Sequence, residues 1–125
     1  MNASNFIKNG NRAGLFSTYK SSQLEQRLTS TTLSALVTVQ PLAEKIFSKV
    51  GLRIGTRTEI FTYTEVHLLK GDKSSKRPDG FIMVNTGKKT WTAIVEAKAS
   101  DAKIDSKQIE NYCKYNIESH ILTKT

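Results

Sequence analysis

The stretch that decides the predicted fold runs over residues 77–99 and reads RPDGFIMVNTGKKTWTAIVEAKA. Two apolar runs in it are separated by turn-forming residues around Gly87, which is typical of a β-hairpin. A two-residue loop of Gly87 and Lys88 suits a type II′ turn, because that turn places glycine first. In this register Asp79 lies directly opposite Glu96, and side chains paired in this way have Cβ atoms only ~4.5–5.5 Å apart.

The second strand of this hairpin carries two charges on one face. Side chains alternate between the faces of a strand, so Glu96 and Lys98 project together with Ile94. A surface ion pair, with Asp79 as a turn residue, is the ordinary interpretation of such patterns when they stand alone. The apolar neighbours indicate a buried central strand instead, where a charged side chain with no functional role would cost free energy.

Paired carboxylates of this kind need a positive charge. Two adjacent carboxylates repel each other unless something neutralises them, and Mg²⁺ is typically held by one or two carboxylates together with waters and a phosphate oxygen. Such an ion, or Mn²⁺, polarises the phosphate and activates a water, while Lys98 orients that water or stabilises the transition state. The spacing therefore predicts metal-dependent phosphodiester hydrolysis at Asp79, Glu96 and Lys98.

The segments around the hairpin predict an α/β domain with the element order αβββαβ. Spacings of three and four predict a helix from residue 22, and Pro41 marks the start of a second helix that Gly51 ends. The remaining elements are a strand over 60–68, the two hairpin strands over 81–84 and 90–99, a helix over 101–118 with Asp105 or Ser106 as its cap, and a short strand over 120–123. We expect a four-stranded mixed sheet flanked by helices, preceded over 1–18 by a loosely ordered arm or a weak first element.

At these residues the sequence resembles the PD-(D/E)xK superfamily of nucleases. The dipeptide PD at 78–79 matches the first half-motif, and EAK at 96–98 matches the second. The pentapeptide QIENY at 108–112 resembles the Q-x-x-x-Y motif of the RecB-like and type I restriction branches. The resemblance spans about residues 22–123 and implies a restriction-endonuclease-like core.

The resemblance also implies roles for residues outside the hairpin. Gln108 is implied to position the water or the phosphate, and Tyr112 to contact substrate or brace the site. The alternative is a helix face packed on the sheet, with Tyr112 in the core. The family often adds an acidic metal ligand from the first helix, for which Glu25 is preferred over Glu44. Since Ser22 and Glu25 also fit a capping box, cap and metal ligand both stay open for Glu25.

The charge balance favours a nucleic-acid partner. Nineteen Lys and Arg against eleven Asp and Glu leave a net charge of +8, which favours nucleic acid, DNA first, over an anionic membrane. Lys76 and Arg77 precede Asp79, and Lys107 lies on the motif helix, so we expect these three to contact substrate. Solvated surface charge is the alternative. Further lysines grouped with this basic surface are Lys70, Lys73, Lys88, Lys89, Lys103 and Lys114.

The 125 residues suit a single nuclease domain over 1–125, either a minimal core or a piece of a larger nuclease with further domains or a homodimer. Cys113 is the single cysteine, which excludes an intrachain disulfide and a cysteine zinc site. With no leader-like start and no apolar run of ~18 residues, we expect a soluble, intracellular, cytoplasmic protein and no membrane partner. An RNA-directed nuclease and a non-catalytic nucleic-acid-binding module remain alternatives.

Overall fold

The computed structural model describes residues 3–14, 23–68, 77–98, 103–115 and 119–124, with residues 68, 111–115 and 119–124 described as backbone. A 3₁₀ turn at Ala3–Asn5 opens this part of the chain. The elements that follow are β1 (Ile7–Arg12), α1 (Leu24–Thr38), α2 (Gln40–Ser48), β2 (Glu59–Leu68), β3 (Gly80–Asn85), β4 (Thr90–Ala97), α3 (Ser106–Tyr115) and β5 (Ser119–Lys124). The described residues therefore form an α/β structure with three α-helices. No helix among them has the length and apolar character needed to cross a membrane.

The strands form one sheet in chain order, β1-β2-β3-β4-β5. The four strands β1 to β4 pair antiparallel, and β5 adds a parallel pairing with β4. The expectation of four strands is wrong, because β1 adds a fifth strand. The strands β1 to β4 are antiparallel throughout, and only the β4–β5 pairing is parallel. The alternative of a loose arm over 1–18 is wrong for β1. That strand buries only Ile7, and an edge strand is held by backbone hydrogen bonds that leave no apolar pattern in the sequence.

The predicted register of the central hairpin is confirmed. Asn85 pairs with Thr90 and Gly80 pairs with Val95, and the Thr86 amide donates to the Lys89 carbonyl at 3.0 Å. Gly87 has a φ of 87°, the backbone that a type II′ turn requires at its first central position. One further step along both strands brings Asp79 opposite Glu96.

Both faces of this hairpin are buried. On one face, α1 and α2 pack against the sheet; this core contains Leu33, Leu36, Ala43, Phe47, Ile82, Val84, Ala93 and Val95. On the other face, Ala3 and Ile7 cover Val66, Phe81 and Met83. The two apolar layers hold the hairpin in the interior of the sheet, so its outer ends are the places where polar groups reach the surface.

Gly80 allows α1 to lie close to the start of β3. A Cβ atom at this position would stand 2.6 Å from Leu33 Cδ1 and 3.3 Å from the Tyr63 carbonyl oxygen. Distances that short force neighbouring atoms to move. Because Gly80 has no side chain, α1 can pack against the residue that follows Asp79. This packing holds in place the end of the hairpin where the candidate site lies.

Candidate functional site

Asp79 and Glu96 meet at one end of the central hairpin. Asp79 immediately precedes β3, and Glu96 is the second-last residue of β4. The backbone amide of Ala97 donates a 2.7 Å hydrogen bond to Asp79 Oδ2. This bond attaches the Asp79 side chain to the neighbouring strand, so both carboxylates are positioned by the hairpin itself and not by a flexible loop.

The Glu96 carboxylate is buried and only partly satisfied. The residue is 3% exposed. Its Oε1 lies 3.2 Å from Lys98 Nζ, whereas Oε2 is buried with no hydrogen-bond partner in the described part of the chain. A buried polar oxygen without a partner is uncommon in folded proteins and costs free energy. Glu96 therefore offers an oxygen that a ligand can use.

Burial disfavours the ionised form of both carboxylates, and the charge of Asp79 disfavours that of Glu96 further. Burial raises the pKa of Asp79, opposed by the Ala97 amide, and the charge of Glu25 raises it further. Burial raises the pKa of Glu96 as well, and the neighbouring Asp79 adds to that rise. The hydrogen bond to Glu96 raises the pKa of Lys98, so this amine keeps its proton at neutral pH. The site thus combines two carboxyl groups whose pKa values are raised with one protonated lysine.

This arrangement fits a divalent cation held by two carboxylates. A cation near Asp79 and Glu96 would favour the ionised form of both buried carboxylates and give Glu96 Oε2 a partner. No group of three or more His, Cys, Asp or Glu side chains suited to a metal occurs within the described ranges. Mg²⁺ is commonly bound by only one or two protein carboxylates and completes its shell with water and phosphate oxygens, so the donor set suits this ion.

Glu25 lies near Asp79, at the start of α1. It is half-buried in the first turn of α1, and its charge contributes to the raised pKa of Asp79. Because Gln23 is the residue that precedes the helix, Glu25 occupies the second helical position. Ser22 lies outside the described residues, so the capping box and the metal ligand both stay predictions for Glu25.

The other predicted site residues are distributed unevenly. Gln108 is half-buried and Lys107 exposed on the first turn of α3, which Asp105 caps by accepting a 3.0 Å hydrogen bond from the Lys107 amide. The side chain of Tyr112 and all of Lys76 lie outside the described residues. Glu44 is exposed on α2, where it accepts a hydrogen bond from Gln40.

Beside Asp79 lies a pocket of about 150 Å³ that also involves Arg77, Thr64, Gln26 and Glu65. Arg77 is thus adjacent to the carboxylate pair, as the sequence predicts. Glu65 is exposed and also borders this pocket.

Glu65 reaches the pocket through an irregularity in the sheet. It has a φ of 53°, and the pairing of β1 with β2 shifts in register between Asn9 and Asn11. Asn11 Nδ2 donates a 3.0 Å hydrogen bond to Glu65 Oε2. β-Bulges of this kind turn side chains away from the regular alternation, and the residues of β2 give no signal of one because their alternation continues through position 65.

No protein-family model, no curated protein and no solved structure matches the chain.

Proposed function

We propose that this protein is a divalent-metal-dependent nuclease that hydrolyses phosphodiester bonds, with DNA as its substrate. The observation that carries the proposal is the juxtaposition of Asp79 and Glu96 at one end of a buried hairpin, with Lys98 Nζ 3.2 Å from Glu96 Oε1. We also propose that the chain belongs to the PD-(D/E)xK superfamily and has the restriction-endonuclease-like core of that superfamily. Support comes from the motif positions and from the order of helix, three strands, helix and strand from α2 to β5.

Asp79 and Glu96 would hold the ion, Mg²⁺ or Mn²⁺. A bound cation would give Glu96 Oε2 a partner. It would also lower the raised pKa values of both acids. When bound, the ion supplies positive charge that polarises the phosphate and activates water for attack. Glu25 is placed to influence Asp79 electrostatically, and we propose it as a further acidic group for the ion or for an associated water.

Lys98 serves as an electrostatic residue. Its pKa is raised by the hydrogen bond to Glu96, and a protonated amine cannot accept a proton from water. A fixed ammonium group can instead donate hydrogen bonds to a phosphate oxygen as negative charge develops there. Gln108, half-buried at the start of α3, is proposed as a polar group that positions water or phosphate.

The net charge of +8 supports a polyanionic substrate, since attraction to phosphates supplies most of the sequence-independent affinity for nucleic acid. Arg77, exposed in the pocket beside Asp79, is placed to contact a phosphate near the scissile bond, and exposed Lys107 is a second candidate. Phosphate contacts of this kind position a substrate without reading its bases.

The test is cleavage of linear and supercoiled DNA with Mg²⁺ or Mn²⁺. Wild type is expected to cut, Asp79→Asn to lose metal-dependent cutting, and Lys98→Ala to lose about 10²-fold or more in rate. Lys45→Ala is the matched control, because Lys45 is exposed on α2 and its removal changes the net charge equally. Loss of the supercoiled form would identify endonucleolytic action.

Two results would redirect the proposal. If Lys98→Ala cuts as fast as wild type, the active site has been assigned to the wrong residues. If wild type cuts neither DNA nor RNA with either ion but binds DNA in a salt-sensitive, metal-independent manner, the protein is a binding module.

A further inference from the structure

The turn of the central hairpin lies at the opposite end of the sheet from the carboxylate pair. β3 runs from Gly80 to Asn85, and at ~3.4 Å per residue the six steps from Asp79 to Asn85 cover about 20 Å. Lys88 and Lys89, grouped by sequence with the basic residues around the site, lie at this far end. Their charges therefore act on a different part of any bound substrate.

A surface pocket is formed at this turn by residues from separate segments of the chain. Arg57, from the loop before β2, joins Lys88 and Lys89 around the pocket, and Glu59 is the one acidic residue among the described residues that line it. The charges of these four residues sum to +2. In the described part of the chain, none of the three cations has a salt-bridge partner. Like charges gathered in this way favour an anionic ligand.

The pocket has a fixed framework. The Lys89 amide donates to Thr86 Oγ1 at 3.3 Å, and the Thr90 hydroxyl donates to Asn85 Oδ1 at 3.0 Å. Phe6 closes one side of the pocket and is itself held against the core, with its ring centroid 6.1 Å from that of Phe81. Hydrogen bonds and packing thus place the two lysines on a tight turn and not on a long loop.

The pocket and the carboxylate pair lie on the same face of the sheet. Alternate residues of a strand share a face, so Asp79, Phe81 and Asn85 all point to one side of β3. Glu59 pairs with Asn85 and Asn85 pairs with Thr90, which puts these pocket residues on that side as well. A polymer that passes along this side of the protein can therefore contact both ends.

We propose that the hairpin-turn pocket of Arg57, Lys88 and Lys89 binds a backbone phosphate of duplex DNA whose scissile bond lies at Asp79 and Glu96. The inference rests on the proposed function and extends it to a second point of contact. The 20 Å separation corresponds to about six base pairs at ~3.4 Å each. The contact is to the backbone, so it raises affinity for every sequence alike.

The test compares two triple variants of equal charge. Arg57→Ala/Lys88→Ala/Lys89→Ala removes the pocket cations, and Lys45→Ala/Lys49→Ala/Arg53→Ala removes three exposed cations on α2 and the loop that follows it. Affinity for a 24-base-pair duplex is measured without metal over a range of salt. The pocket variant is expected to lose about tenfold in affinity, and its slope of log K against log salt to fall by ~0.9 for each lost phosphate contact.

A second variant changes the charge of the pocket in the opposite direction, at an exposed residue of β2. Glu59→Gln removes the acidic residue of the pocket and is expected to tighten DNA binding about twofold to fivefold. Glu44→Gln, which neutralises an exposed acid on α2, should leave affinity nearly unchanged. Equal affinities for these two variants, or equal salt slopes for the two triple variants, would refute the proposal that the pocket binds a phosphate.

Cleavage of the same duplex separates this inference from the proposed function. If wild type cuts and the two triple variants cut with equal kcat/KM, the pocket is not a DNA contact, and the nuclease proposal is supported. If wild type does not cut but the pocket variant alone loses affinity and salt slope, the pocket stands as a DNA contact and the nuclease fails.

Discussion

Replacing Glu96 with glutamine is expected to stabilise the metal-free protein. Glu96 is 3% exposed, and its Oε2 has no hydrogen-bond partner in the described part of the chain. Burial and the nearby charge of Asp79 raise the pKa of Glu96 despite the opposing effect of Lys98. The ionised side chain is therefore less compatible with the fold than a neutral one of the same shape.

The size of the gain follows from the orphaned oxygen. A buried polar group without a partner costs about 1–3 kcal/mol, and a glutamine amide can donate to Asp79 while its oxygen still accepts from Lys98. We therefore expect the free energy of unfolding to rise by about 1–3 kcal/mol at pH 7 without metal. A carboxyl whose pKa is raised by folding binds more protons in the folded state. Wild-type stability thus falls as pH rises from the ordinary value of 4.5 through the folded value, and Glu96→Gln reduces this slope.

Urea unfolding in EDTA and in Mg²⁺ measures both parts of the prediction. An ion that binds only the folded state adds RT ln(1 + [Mg²⁺]/Kd), which is about 2.7 kcal/mol at a hundredfold excess over Kd. Wild type should show this gain, and Glu96→Gln should lose most of it. Glu44→Gln is the control, since an exposed acid should change stability by less than about 0.5 kcal/mol in either condition.

Two outcomes refute the reasoning. If Glu96→Gln is less stable than wild type in EDTA, the ion pair with Lys98 outweighs burial and the carboxylate is a structural group. If Mg²⁺ stabilises both proteins equally, Glu96 is not a ligand for the ion.

Two further predictions concern the backbone around the site. Gly80→Ala should lower the free energy of unfolding by about 1–3 kcal/mol, because its Cβ would stand 2.6 Å from Leu33 Cδ1; in a Leu33→Ala background, urea unfolding should show most of this penalty removed. Glu65→Gly should be more stable than Glu65→Ala by about 1 kcal/mol, because a φ of 53° disfavours any residue with a Cβ. At Glu59, where φ is negative, the same two substitutions should rank in the reverse order, and a matching order at both positions would contradict the argument.

The central hairpin was predictable because its determinants are local. Glycine at the first position of the turn selects a two-residue loop, and the loop then determines every pairing between β3 and β4. The opposition of Asp79 and Glu96 follows from that register without any tertiary information. The caps and breaks of the helices are equally local, as Asp105 before α3 and Pro41 at the start of α2 illustrate.

The features that were missed depend on contacts between distant segments. β1 carries almost no apolar side chains, and its place in the sheet comes from backbone pairing with β2, 51 to 61 residues further along the chain. The bulge at Glu65 arises from that same pairing. Arg57 joins Lys88 and Lys89 only because the loop before β2 lies beside the hairpin turn. No spacing in the sequence encodes these approaches.

The same burial that makes the hairpin stable also argues for a ligand at its end. Lys98 contacts one oxygen of Glu96, and an ion pair that served only the fold would leave the other oxygen to raise the energy of the folded state. Replacing both charges with apolar side chains would avoid that cost, whereas a cation shared with Asp79 would relieve it. Two carboxylates with raised pKa on a rigid strand end are therefore better explained by binding than by stability, and the comparison of Glu96→Gln with wild type in EDTA and in Mg²⁺ decides between the two explanations.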